Sequence, residues 1–245
     1  VLATLRLLAE YRDGAGLSDL ARRLNSPKSS VHRALAALRR AGFVEQNDGD
    51  RYRLSYELVR LVFSYYENID DVLRLRPLLE DLANQFGETC HYAVLETPEI
   101  VYHAKVQAAG ARFQMTSAVG GRNPAYCTGV GKAMLAYDLL DEDSVRAYID
   151  RYGPFTPPTA NAISDAEGLT AEFAEIRRLG YAVDREENEL GITCLALPLF
   201  LTSRQRPDGA ISITTVVHRT PLAQLVAAVD QMRATIRHHL GEVLG

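Results

Sequence analysis

The chain has 245 residues, 47% hydrophobic and 24% charged, with a formal net charge of −4. These proportions exclude a disordered, collagen-like or disulfide-dense chain. Charged residues interrupt every apolar run, no secretory leader pattern opens the chain, and Cys90, Cys127 and Cys194 lie far apart without a CxxC pair. A cytoplasmic protein with no membrane partner, structural metal or disulfide is therefore expected.

The charge is unevenly spread. Residues 1–60 hold 11 Lys and Arg against 7 Asp and Glu, and the remainder holds 16 against 24. A basic head on an acidic body points to nucleic-acid contact at one end.

Leu2, Leu5 and Leu8 have helical spacing, and Asp13-Gly14 ends the first helix. Ser18 is expected to cap a second helix that turns Leu20, Ala21 and Leu24 inward. Ser26 is expected to cap a third, with Pro27 in its first turn, Val31, Ala34, Leu35 and Leu38 inward, and Gly42 as its stop. Two short strands, Phe43 to Gln46 and Arg51 to Leu54, then flank the turn tetrapeptide Asn47-Asp48-Gly49-Asp50. Helix, turn, helix and hairpin make a winged helix-turn-helix, whose second helix enters the major groove of DNA. Its outward first-turn residues are Lys28, Ser29, Ser30, His32 and Arg33, all hydrogen-bond donors without a carboxylate among them. Ser18 joins this set, as do Arg51 and Arg53, which alternation places on one side of the wing. A solvated basic helical domain is the bland alternative.

Residues 56–68 read as a linker helix. The division expected is a DNA-binding domain over 1–56, a linker over 57–70 and a second domain over 71–245. In the last, helices and strands alternate: a helix from Val72 to Phe86, strands near 90–95, 100–106 and 113–119, and helices over 127–137 and 142–151. Ser164 and Glu167 form a capping-box pair opening a helix that stops at Gly180. Strands near 181–184, 192–200 and 210–217 and one amphipathic helix from Pro221 to Leu240 follow. Leu201 to Asp208 is too irregular for a tight hairpin. No GxSxG, HExxH or paired-carboxylate signature is present, so no enzyme is expected. Cys90 and His91 are strand neighbours facing opposite ways, which removes a thiol–imidazole pair.

The head, from Gly16-Leu17-Ser18-Asp19-Leu20-Ala21 through Pro27-Lys28-Ser29-Ser30-Val31-His32-Arg33 to Gly42-Phe43-Val44-Glu45, closely resembles the IclR family of transcription regulators, as does Tyr52-Arg53-Leu54. Gly129-Val130-Gly131-Lys132-Ala133 resembles that family's Gly-Lys-Ala helix, and Gly180 to Asn188, with Gly191 and Cys194, its effector-domain signature. The resemblance implies an α+β fold: an all-helical winged helix-turn-helix head, a linker helix, and a GAF-like α/β effector domain with a curved antiparallel sheet. It also implies homodimers or dimers of dimers on double-stranded operator DNA, and a repressor answering to a small organic acid or aromatic metabolite. By resemblance the effector touches Met115, the Thr128-Gly129-Val130 turn, Asp184, Cys194, Ser212 and Thr214. Read by themselves, Cys194 is more often a core residue, Asp184 is equally a turn cap, and Ser212 and Thr214 are equally solvent-facing strand residues. The first-turn amides after Thr128 suit a carboxylate, so an effector bearing one is expected, with no cofactor. The remaining alternative is an architectural DNA-binding protein without an effector.

Overall fold

In the computed structural model, residues 1–47, 49–66, 70–108 and 116–244 are described. The chain separates into two compact units, Val1–Asp70 and Asp71–Gly245.

In the first unit α1 (Leu2–Leu8), α2 (Leu17–Arg23) and α3 (Lys28–Arg40) enclose a core of Leu8, Leu20, Val31, Leu35, Leu38, Val44 and Tyr52. The apolar residues of α3 recur at three- and four-residue steps, so one stripe is buried and the opposite face is left to water. Two caps differ from expectation. Ser18 lies inside α2, whose N-cap is Gly16 in extended conformation with no side-chain bond. Pro27 stands at the N-cap of α3, while the Ser26 hydroxyl turns back to the Leu24 carbonyl at 3.1 Å. Gly42, at φ +81°, follows α3 in the left-handed region where glycine carries no Cβ penalty. The wing strands β2 (Val44–Gln46) and β3 (Arg51–Leu54) are joined by the short strand β1 (Ala15–Gly16) in the order β1-β3-β2. α4 (Tyr56–Tyr66) closes the unit.

The second unit opens with α5 (Asp70–Phe86). Its sheet is a six-stranded antiparallel half-barrel. The strands are β4 (Thr89–Glu96), β5 (Glu99–Gln107), β6 (Arg122–Pro124), β7 (Ala182–Arg185), β8 (Ile192–Leu199) and β9 (Gly209–Val216), in the order β6-β5-β4-β9-β8-β7. α6 (Gly129–Asp138), reached through a single 3-10 turn (Ala125–Cys127), lies on β8 and β9. α7 (Glu142–Tyr152) and α8 (Ala166–Leu179) pack outside it around Phe173, Leu135 and Tyr148. Of the strand expected near 113–119, residues 113–115 lie outside the described residues, and 116–119 form no strand. The final helix is two, α9 (Leu222–Ala227) and α10 (Val229–Leu240), broken at Ala228, whose φ of −99° and ψ of 10° leave the helical region. The irregular stretch before β9 is organised by Asp208, which accepts bonds from the Leu201 and Thr202 amides at 2.8 and 2.9 Å. α8 is capped by Asp165, not Ser164: the Asp165 carboxylate accepts from the Gly168 amide at 2.8 Å. Replacing Asp165 by Ala is expected to cost about 1 kcal/mol in chemical denaturation, with Ser164→Ala near neutral. The reverse order would restore the serine cap.

Candidate functional site

Two surfaces gather the expected site residues, one in each unit. In the first, burial of Val31, Ala34, Leu35 and Leu38 turns Lys28, Ser29, His32 and Arg33 outward. Ser30 is half-buried beside them. Among the described residues, Lys28, His32 and Arg33 make no hydrogen bond or ion pair, so their polar ends are uncommitted. No side chain caps α3, so its first amides add partial positive charge to the same end. Ser18 is exposed on the first turn of α2.

The wing differs. Arg51 and Arg53 both face outward around buried Tyr52, as alternation requires. The Arg51 guanidinium, however, donates to the carbonyls of Gly14 at 2.6 Å and Asp13 at 3.4 Å. Arg53 pairs with Glu45 at 2.6 Å. Both are exposed, so DNA phosphates can compete for them, but neither is idle in the free protein.

In the second unit, strand register assembles a cavity. Asp184, Cys194 and Thr214 are successive partners across β7, β8 and β9 and form one row on the sheet. Two residues along β9, Ser212 begins the next row, opposite His91 of β4, which lies opposite Lys105 of β5. A two-residue step keeps both rows on one face. The first turn of α6 stands over them. A Cβ on Gly129 would come within 2.4 Å of the Cys194 sulfur, so only glycine lets helix and sheet approach this closely. Thr128 caps the helix: its Oγ1 accepts from the Gly131 amide at 3.3 Å and donates to the Pro124 carbonyl at 3.1 Å.

The resulting cavity, about 240 Å³ among the described residues, is lined by Thr128, Gly129, Val130, Asp184, Cys194, Ser212 and Thr214 together with others. Met115, the remaining residue expected there, lies outside the described residues. Sequence reading missed His91, Tyr102, Ser117 and Asn123, which also line it. His91 links the two rows to the opposite wall: Nε2 meets the Ser117 hydroxyl at 2.8 Å and Nδ1 the Thr214 hydroxyl at 3.3 Å. Burial, aided by the Lys105 charge, pushes its pKa down to about 3, so the imidazole is neutral. The Tyr102 hydroxyl accepts from Asn123 at 3.3 Å, and burial raises its pKa to about 12. Cys194 and Cys127 are buried thiols pushed upward by desolvation, which leaves them unreactive.

Asp184 is the cavity's unusual group. It is 5% exposed, and desolvation raises its pKa to about 7 against the bonds it receives from the Glu187 and Asn188 amides. The site thus offers hydroxyl, imidazole and amide groups beside a carboxyl that stands near its midpoint at neutrality. Among the described residues no group of His, Cys, Asp and Glu is placed to hold a metal, and no helix is long and apolar enough to cross a membrane. A folded pKa above the unfolded one means that the stabilisation of protonated Asp184 is lost as pH rises through about 7. Between about pH 5 and 8 the melting temperature of the natural protein should therefore fall more than that of Asp184→Asn. Parallel curves would place the titration elsewhere.

Residues 1–48 match the family model described as the IclR helix-turn-helix domain, and residues 63–238 match that of the bacterial transcriptional regulator IclR C-terminal domain. The chain is 30% identical to the Escherichia coli transcriptional repressor IclR over 221 residues, covering 89% of this chain and 79% of that protein. It superposes on the crystal structure of the Thermotoga maritima IclR with a TM-score of 0.78 at 27% identity, covering 98% and 96% of the two chains. An IclR homologue from Microbacterium hydrocarbonoxydans, crystallised in complex with 4-hydroxybenzoate, shares the fold at a TM-score of 0.73 and 22% identity, covering 98% of each chain.

Proposed function

The chain belongs to the IclR family of bacterial transcription regulators, and from that premise we infer that it is an operator-binding repressor released or engaged by a small carboxylate-bearing effector. On the DNA side, the observation carrying this reading is the uncommitted donor set Lys28, Ser29, Ser30, His32 and Arg33 at the start of α3. Serine and arginine there suit base edges, lysine suits phosphate, and Ser18, Arg51 and Arg53 supply backbone contacts. On the ligand side it is the cavity built by Thr128, Gly129, Val130, Asp184, Cys194, Ser212 and Thr214. The Val130 amide in the first turn of α6 and a protonated Asp184 both donate towards an anion, the Gly129 and Gly131 amides being held by Cys194 and Thr128, while Ser212, Thr214 and His91 serve a hydroxyl at its other end. The volume admits a compact acid, aliphatic or with one aromatic ring. Repression is the reading chosen because the E. coli relative is named a repressor.

A homodimer completes this picture. Tyr56, Val59, Val62 and Phe63 of α4 are 87%, 45%, 55% and 60% exposed. Apolar side chains at such spacing on one helix suit a second copy of the same helix. A two-fold pair of heads would read two half-sites about one DNA turn apart. Dimers of dimers would place four effector domains together.

With the operator recovered by selection from genomic fragments, Ser30→Ala and Arg33→Ala should each weaken binding by about 1–3 kcal/mol per lost base contact. Unchanged anisotropy curves for both would remove α3 from the groove. For the effector, 4-hydroxybenzoate serves as the aromatic-acid probe in a thermal-shift and operator-binding series alongside small aliphatic acids. Affinity for whichever acid binds should fall as pH rises past about 7, because ionised Asp184 repels an anion. An operator affinity indifferent to every acid would favour an architectural role.

A further inference from the structure

The cavity wall is backed by a buried charge cluster that does not itself line the cavity. Lys132, one turn along α6 from Thr128, is fully buried. Its Nζ donates to Glu187 Oε1 at 2.6 Å and to Glu172 Oε1 at 2.8 Å. Glu187, 2% exposed, also accepts the Arg185 amide on Oε1, at 3.2 Å, and its Oε2 has no partner among the described residues. Exposed Arg185 reaches Glu172 at 3.4 Å. The Glu187 amide donates to Asp184 Oδ1 at 2.7 Å, which fixes the two carboxyl groups as neighbours.

Counting charge decides what this cluster does. Lys132 and, at the exposed end, Arg185 answer the two carboxylates, so the buried ammonium has no charge to spare for a third. The groups that face Asp184 are Tyr102 of β5, Cys127 of the 3-10 turn, Lys132 of α6, Glu187 of the β7–β8 turn and Cys194 of β8. The tyrosine and both thiols are neutral near pH 7, which leaves Glu187 and Lys132 as the charges that act on it. Lys132 favours ionisation of Asp184 and Glu187 opposes it.

We propose that Glu187 is a specificity-determining positioning residue: by engaging Lys132 it weakens the counter-charge that reaches Asp184, so that the cavity presents more of its carboxyl uncharged to its ligand. An acid in that state donates a hydrogen bond to a carboxylate, whereas an ionised Asp184 would favour a cationic or hydroxylated ligand instead. Neither Lys132 nor Glu187 touches the ligand space; they act through Asp184. The consequence for ligands rests on the effector reading above, but the ionisation of Asp184 can be followed with no ligand present.

The test is a carbon-13 NMR titration of the full chain labelled at aspartate carboxyl carbons, with the Asp184 signal assigned by its loss in Asp184→Asn. In Glu187→Gln the amide bond to Asp184 is kept and one negative charge is removed, so the Asp184 midpoint should fall by about one pH unit. If Glu187→Gln does not fold, Glu172→Gln, at the more open end of the cluster, should lower the midpoint in the same direction. A midpoint unmoved or raised in the folded variant overturns the proposal. A lowered midpoint in a protein that binds no acid would uphold it while sinking the effector reading, so the two failures are distinguishable.

Discussion

The second unit depends on how closely α6 approaches its surroundings. At Gly129 an added Cβ would sit 2.4 Å from the Cys194 sulfur, and at Gly131 it would sit 2.2 Å from the Ala125 carbonyl oxygen. Without side chains at these two places the helix settles onto β8 at Gly129 and against the 3-10 turn at Gly131, and Gly129 to Ala136 are all buried. Three consequences follow from that contact. The first-turn amides become a wall of the cavity, Cys194 becomes its floor, and Lys132, carried inward on the same helix, must find carboxylates inside the protein. Burying an unpaired ammonium costs several kcal/mol, so Glu172 and Glu187 are required by the helix position as much as by any ligand.

The same contact links packing to chemistry. Glu187 reaches Lys132 only because the chain turns sharply after β7, with Glu186 at φ +61°. That turn also points the Glu187 amide at Asp184. Desolvation and a neighbouring carboxylate therefore act on Asp184 together, and both raise its pKa. His91 on the other wall is shifted in the opposite sense, for the same reason of burial. At pH 7 the imidazole is neutral and Asp184 stands near its midpoint, so the charge of the cavity responds to small changes in its surroundings.

What the sequence made legible was local. Helix spacing placed α2 and α3, terminal signals bounded α8, alternation set the faces of the wing, and Gly42 and Gly180, both at positive φ, marked helix ends. The two-residue step from Ser212 to Thr214 was enough to place them on one face. The misses need longer-range information. Ser164 and Asp165 both suit a cap, and the choice depends on which oxygen reaches the Gly168 amide. The break at Ala228 has no glycine or proline to announce it. β1 and β6 are too short to show a period. His91 entered the cavity through its register with Ser212, 121 residues away in sequence, and the Lys132–Glu187 pair spans 55 residues. The family resemblance, not periodicity, brought Asp184 and Cys194 to notice.

The basic character of the head also changes meaning once contacts are known. Counted in sequence, its cations look like one patch. In the fold, Arg22 pairs with Asp19 and Arg23 with Glu10, Arg53 pairs with Glu45, Arg39 donates to Gln46, and Arg51 braces the Asp13–Gly14 turn. These exposed pairs are worth little to stability, and a DNA phosphate can displace them at small cost. Lys28 and Arg33 need no such exchange. Contacts at the start of α3 should therefore form with the least rearrangement, and those of the wing should form only where DNA offers a better acceptor than the protein's own carbonyls. Positive charge alone would spread affinity over the whole face; the distribution of internal partners leaves the start of α3 as the place where cations stand ready.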